Sequence, residues 1–130
     1  MARRLAAPIA LVLASPAFLG CATTPKQRLQ GKWVGERADN FSTTQAGRVS
    51  GWVGGTTFEF KGSRVVISIP AETPREGTFE VAKVVQDELT LSFLRSEGGH
   101  DQVAFRFEPD GRLRWQIGDG RSVVMRKVSD

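Results

Sequence analysis

The 130-residue chain contains one cysteine, one histidine and no tyrosine. A single cysteine, Cys21, excludes a disulfide within the chain and any zinc site built on several thiolates. A single histidine, His100, removes the multi-imidazole clusters on which most transition-metal sites rest. No glycine-rich loop runs from a strand into a helix, so no phosphate cradle is expected. No serine has the strand–elbow–helix setting of an activated nucleophile, Ser96 beside His100 included. Clustered positive charge is also lacking: lysines and arginines lie scattered, mostly within a few positions of an acid. Nucleic-acid binding needs basic clusters with aromatics between them, and is not expected here.

Long apolar runs are scarce as well. The one that exists, "LAAPIALVLASPAFLG" (5–20), follows Arg3 and Arg4 and is broken by Pro8 and Pro16. It is short for a membrane span and has the charged start and apolar middle of a secretory signal peptide. It ends in "FLGC" (18–21), which resembles the lipobox of bacterial lipoproteins. The resemblance implies cleavage before Cys21 and a thioether-linked lipid with palmitate-type acyl chains on that cysteine. Two or more chains give stable anchoring, and the thioether removes the oxidation liability of an exposed thiol. Ala22, where an Asp would favour the inner membrane, points the sorting towards the outer membrane and its periplasmic face. The organisation expected is a signal peptide (1–20), a lipidated cysteine and tether (21–30), and one domain (31–130). Cleavage removes 20 of 130 residues, leaving 110, and takes two arginines from the net charge of +4, leaving +2. A chain of that size buries roughly 60–70% of its unfolded surface, enough for one modest core.

From Gly31 onward the apolar residues recur with period two. Strands are predicted at 32–37, 56–60, 64–69, 76–85, 88–94, 102–108, 112–117 and 122–128, with turn residues between them. One face collects Phe58, Phe60, Val65, Ile67, Ile69, Phe79, Val81, Leu89, Leu91, Phe93, Val103, Phe105, Phe107, Leu113, Trp115 and Ile117. The other carries Glu59, Glu80, Thr90, Arg106, Arg112 and Arg114. Val123, Val124, Met125 and Val128 fall on both faces, so the last strand is ambiguous. Residues 22–30 read as a polar tether ending in one helical turn. Residues 38–55, rich in Gly, Ser and Thr, read as a long loop with one helical turn near Val49–Val53. Eight sequential hairpin-linked strands predict an all-β, up-and-down antiparallel barrel, since closure removes exposed edges.

The order "LQGKWVG" (29–35), "TFEF" (57–60), "GTFEV" (77–81), "LTL" (89–91) and a final basic pair resembles the lipocalin-like, calycin-type small bacterial barrels over about 100 residues. That resemblance implies Trp33 as the plug at the barrel base, with Arg126 stacked across it. It further implies a module that binds a small apolar or amphipathic ligand. Candidate ligand contacts are Phe41 and Trp52 at the open end, with Phe58, Phe79, Phe93, Phe105 and Trp115 inside. The alternative is a filled barrel that contacts an envelope protein, as a periplasmic protease or hydrolase inhibitor does. A void above roughly 300 Å³ would favour the ligand, because small-molecule pockets start near that size.

No enzyme activity, cofactor or metal is expected. His100 with Glu97 and Asp101 could be drawn as a metal cluster or an acid–base pair. Neighbouring strand residues point to opposite faces, however, and a solvated loop is the better reading. Glu72 and Glu76, and Asp87 and Glu88, sit in turns and read as solubility charges. The partners expected are a membrane, through the lipid, and either a small hydrophobic ligand or an envelope protein.

Overall fold

A computed structural model describes residues 23–130; the expected signal peptide (1–20) and the expected lipidation site Cys21 lie outside them. The chain order is α1 (Pro25–Leu29), β1 (Gly31–Asp39), α2 (Thr43–Trp52), a 3₁₀ turn (Val53–Gly55), β2 (Thr57–Lys61), β3 (Arg64–Ser68), β4 (Arg75–Val85), β5 (Glu88–Arg95), β6 (His100–Phe107), β7 (Leu113–Gly118) and β8 (Arg121–Ser129). Each strand pairs antiparallel with the next, and β8 returns to β1, closing an eight-stranded up-and-down barrel. The all-β barrel read from the alternation is therefore the fold.

Closure leaves two ends. The lower one holds α1 and the turns β2–β3, β4–β5 and β6–β7; the upper one holds α2 and the connections β3–β4, β5–β6 and β7–β8. The lower turns use conformations that their residues supply. Gly62 (φ 60°) and Gly111 (φ 91°) sit at positive φ without a Cβ penalty, whereas Gln86 (φ 56°) adopts it as a non-glycine.

The interior is the face that alternation marks. Phe58, Phe60, Val65, Phe79, Leu89, Leu91, Phe93, Phe105, Phe107 and Leu113 are all buried, and Trp115, Ile117, Val81, Val103 and Ile69 pack against them. Register resolves the ambiguous last strand. Val123 lies opposite Trp115 and Met125 opposite Leu113, so both point inward. Val124 faces outward yet is 1% exposed. It lies between Arg114 on β7 and Arg37 on β1.

The base is closed as the Leu-x-Gly-x-Trp stretch suggests, with one change of partner. Trp33 is buried, and its indole Nε1 donates to the Leu29 carbonyl at 2.8 Å, tying β1 to the end of α1. The cation over its ring is Lys127, with Nζ 5.2 Å from the centroid. Arg126, expected there, lies opposite Val34 on the outer face and reaches Glu36 at 3.8 Å. Inward parity through Val123 and Met125 continues to Lys127, so Arg126 points away from the plug. Gly31 (φ 117°) allows the close approach at this end: a Cβ there would collide with the Ser129 carbonyl.

Residues 38–55 are not mainly a loop. Ten of them form α2, started by a reciprocal capping box: Ser42 Oγ accepts from Gln45 N–H, and the Gln45 side chain accepts from Ser42 N–H.

Candidate functional site

The upper end carries the residues that long-loop reasoning marked for function, and its geometry follows from a few contacts. Alone, α2 would be a weak helix, because Gly47 and Gly51 each cost about 1 kcal/mol relative to alanine. Tertiary contacts hold it. Val49 is buried, 5% exposed, on the helix face turned towards β1. The fully buried Thr56 fixes the far end: its Oγ1 donates to the Trp52 carbonyl at 3.1 Å, and its own carbonyl accepts from Gly35 N–H at 2.9 Å. Gly35 has to be glycine for this crossing, since a Cβ there would run into the Val53 carbonyl.

Between α2 and the outer side of β1 lies a cleft of about 380 Å³, lined by Glu36, Arg37, Ala38, Asn40, Phe41, Ala46, Val49, Ser50 and Val53. Phe41, Ala46, Val49 and Val53 give it an apolar wall, and Glu36, Arg37 and Asn40 a polar rim. The rim charges are fixed in place. The Arg112 guanidinium hydrogen-bonds Glu36 through Nε at 2.6 Å and holds that carboxyl below its usual range. Arg37 bonds Asp39 at 2.9 Å and lowers its carboxyl, helped by Arg114. Arg114 also reaches Glu108 at 2.9 Å, so Arg37–Asp39–Arg114–Glu108–Arg106 runs as one chain of ion pairs down the outside of the barrel.

The candidate ligand residues divide into three places. Phe58, Phe79, Phe93, Phe105 and Trp115 come together inside the barrel. Phe58 lies edge-on to Phe105 at 5.3 Å and to Trp115 at 5.1 Å, and Phe79 edge-on to Phe60 at 5.2 Å. The space left among Phe58, Phe60, Phe79, Leu91, Phe93 and Phe105 is about 10 Å³, room for a single water at most. Trp52 is half-buried and packs on the upper edge of this core. Phe41 lies apart, in the outer cleft, with the Arg121 guanidinium 5.6 Å from its ring centroid. The upper end therefore does not bring Phe41 and Trp52 onto one open mouth.

His100 and its acidic neighbours also separate. His100 lies on the outer face opposite Leu94 and hydrogen-bonds Ser92. Asp101 lies opposite Phe93 and pairs with Arg95 at 3.3 Å. Among the described residues no three His, Cys, Asp or Glu side chains converge in metal-holding geometry.

Reading the sequence missed Ala46 and Val49 as cleft residues, because it took their segment for a loop. The signal available was the Ser42-x-x-Gln45 pattern, a helix start that outweighs the two glycines. Set against protein-family models, curated proteins and solved structures, the chain matches none; the lipocalin-like resemblance rests on the closed eight-stranded antiparallel barrel, with which it is compatible.

Proposed function

We propose that the protein is a non-enzymatic lipoprotein of the cell envelope, held through lipidated Cys21 to the outer membrane and facing the periplasm. Its barrel serves as a filled scaffold that presents α2 and the adjoining cleft to an envelope protein, in the manner of a small periplasmic protease or hydrolase inhibitor. The observation that carries this reading is the packed interior: about 10 Å³ is free where a barrel ligand of ordinary size needs roughly 300 Å³. A rigid, filled barrel also suits recognition, because a surface that is already ordered loses less entropy on binding.

A photo-crosslinking residue placed at the exposed Arg48 on α2 tests the proposal in intact cells, with Glu80 on the outer face of β4 as the control. A discrete adduct from position 48 and none from position 80 is expected; equal or absent adducts from both would sink the reading. Cys21→Ala should remove the protein from the membrane fraction, and intact mass of the native protein should show the added lipid.

One observation favours a second reading. The cleft beside α2, at about 380 Å³, is wide enough for a small amphipathic molecule whose apolar part lies on Phe41 and Val49. Saturable binding of a lipid or hydrophobic dye, read from the dye's own emission and abolished by Val49→Asp, would support it over a protein partner.

A further inference from the structure

All five lysines of the chain, Lys26, Lys32, Lys61, Lys83 and Lys127, lie at one end of the barrel. It is the lower end, where α1 and the start of the described chain sit. Lys26 is on α1, Lys32 opens β1, Lys61 precedes the β2–β3 turn, Lys83 precedes the β4–β5 turn, and Lys127 nears the end of β8. Among the described residues four large hydrophobics are exposed, and three are at the same end: Val84 (46% exposed), Val85 (52%) and Val128 (42%). The upper end carries arginines and no lysine. Its acids are matched by arginines, as in Arg37–Asp39, Arg75–Glu72, Arg95–Asp101 and Arg121–Asp119. At the lower end the acids Glu59, Asp87, Glu88, Glu108, Asp110 and Asp130 face five lysines with Arg28, Arg106 and Arg112; Glu108 and Asp110 pair with arginine at 3.2 and 3.1 Å, whereas Lys61–Glu59 and Arg28–Asp87 are both 3.9 Å.

We propose that this lower end is a membrane-apposed face, which rests on anionic phospholipid headgroups with its lysines and sets the three valines at the headgroup level. The inference deepens the anchoring reading and rests on it. Four chain steps separate Cys21 from Pro25 at the start of α1. They can reach about 14 Å, so a lipid on Cys21 keeps this end close to the bilayer. Lysine suits the position, because its long apolar stem can lie along the interface while the ammonium stays at the phosphates. Attraction to an anionic leaflet falls off within a Debye length, about 8 Å at physiological salt, so only charges at this end gain from it. Apposition also turns α2 and its cleft away from the membrane, where an envelope protein can reach them.

The test uses the full protein purified from membranes, with intact mass recorded first. It is reconstituted in vesicles of pure phosphatidylcholine and of phosphatidylcholine with phosphatidylglycerol, and each lysine is acylated with a water-soluble reagent. Several-fold slower acylation of Lys26, Lys32, Lys61 and Lys83 in the anionic vesicles is expected, with amide exchange in α2 unchanged. Lys61→Glu with Lys83→Glu, both on exposed surface, should restore fast labelling at Lys26 and Lys32. Equal labelling in the two vesicle types, on a protein whose mass shows the lipid, would overturn the membrane-apposed face and leave anchoring intact. A mass without lipid would overturn the anchoring reading. In that case flotation of the same protein with anionic vesicles decides: loss of flotation in the double variant supports the face, and no flotation of the wild type overturns it.

Discussion

Truncating one interior ring tests whether the barrel is a scaffold or a container. Phe105 is 1% exposed and lies edge-on to Phe58 at 5.3 Å and to Phe60 at 6.2 Å. Phe→Ala in a close-packed core removes the transfer energy of the ring and leaves a cavity, at a cost of about 3–5 kcal/mol. With two aromatic partners lost, Phe105→Ala should fall near 4 kcal/mol. A domain of about 100 residues has roughly 5–15 kcal/mol in total, so the variant should still fold. Its Tm should drop by roughly 15 °C, at about 4 °C per kcal/mol for a chain of this size. Urea unfolding followed by far-UV circular dichroism checks the cost, with an unchanged slope confirming that two-state behaviour persists. The variant, and not the wild type, should also be stabilised by benzene, since a dry apolar cavity lined by aromatics takes up such molecules. A cost below about 1 kcal/mol, or stabilisation of the wild type by benzene, would refute a filled interior and return the barrel to ligand binding.

Three further outcomes follow from particular contacts. Arg114 is 16% exposed and serves Glu108, Asp39 and Ser122 together, so Arg114→Met should cost about 1–3 kcal/mol at pH 7. Both carboxyls have folded pKa values below their ordinary 3.8 and 4.5, through hydrogen bonds from Arg37 to Asp39 and from Arg114 to Glu108. Their stabilisation is therefore complete above those ordinary values and lost as pH falls through the depressed ones. Thermal midpoints from pH 6 downward should drop less steeply in the variant, and parallel acid limbs would refute the coupling. Lys127→Met should cost about 0.5–1 kcal/mol and shift Trp33 emission, whereas Arg126→Met should change neither, because its exposed contact with Glu36 at 3.8 Å contributes little; the reverse ranking would restore Arg126 as the partner of the plug. Ser42→Ala should cost about 1 kcal/mol of helix and speed amide exchange in α2 about fivefold, with the barrel strands unchanged, and equal acceleration in β5 would show that α2 and barrel open as one unit.

How far the sequence could be read depends on which level of structure fixes each feature. Strands and their faces were legible because alternation is local and the barrel buries one face of every strand. Lys127 was obscured by Val124, whose apolar side chain blurs the parity of β8. Val124 is buried although it faces outward, between Arg114 and Arg37 of two other strands. The helix α2 was obscured because its propensity argues against it; the burial of its own Val49 against β1, the Thr56 bond to the Trp52 carbonyl and the close crossing that Gly35 allows hold it, and none of these is visible in the local sequence. The void volume was the least legible quantity. A pattern of Phe and Leu says which side chains point inward, not how much room eight strands leave between them, and that room depends on strand tilt and on how rings from opposite walls interlock. Phe58 decides it here: its ring lies edge-on to both Phe105 and Trp115, filling the axis that a lipocalin-type ligand would occupy. The Leu-x-Gly-x-Trp stretch therefore specifies how the barrel closes, and it leaves the outer surface, where α2 and the cleft meet solvent, free to vary independently of the closed core.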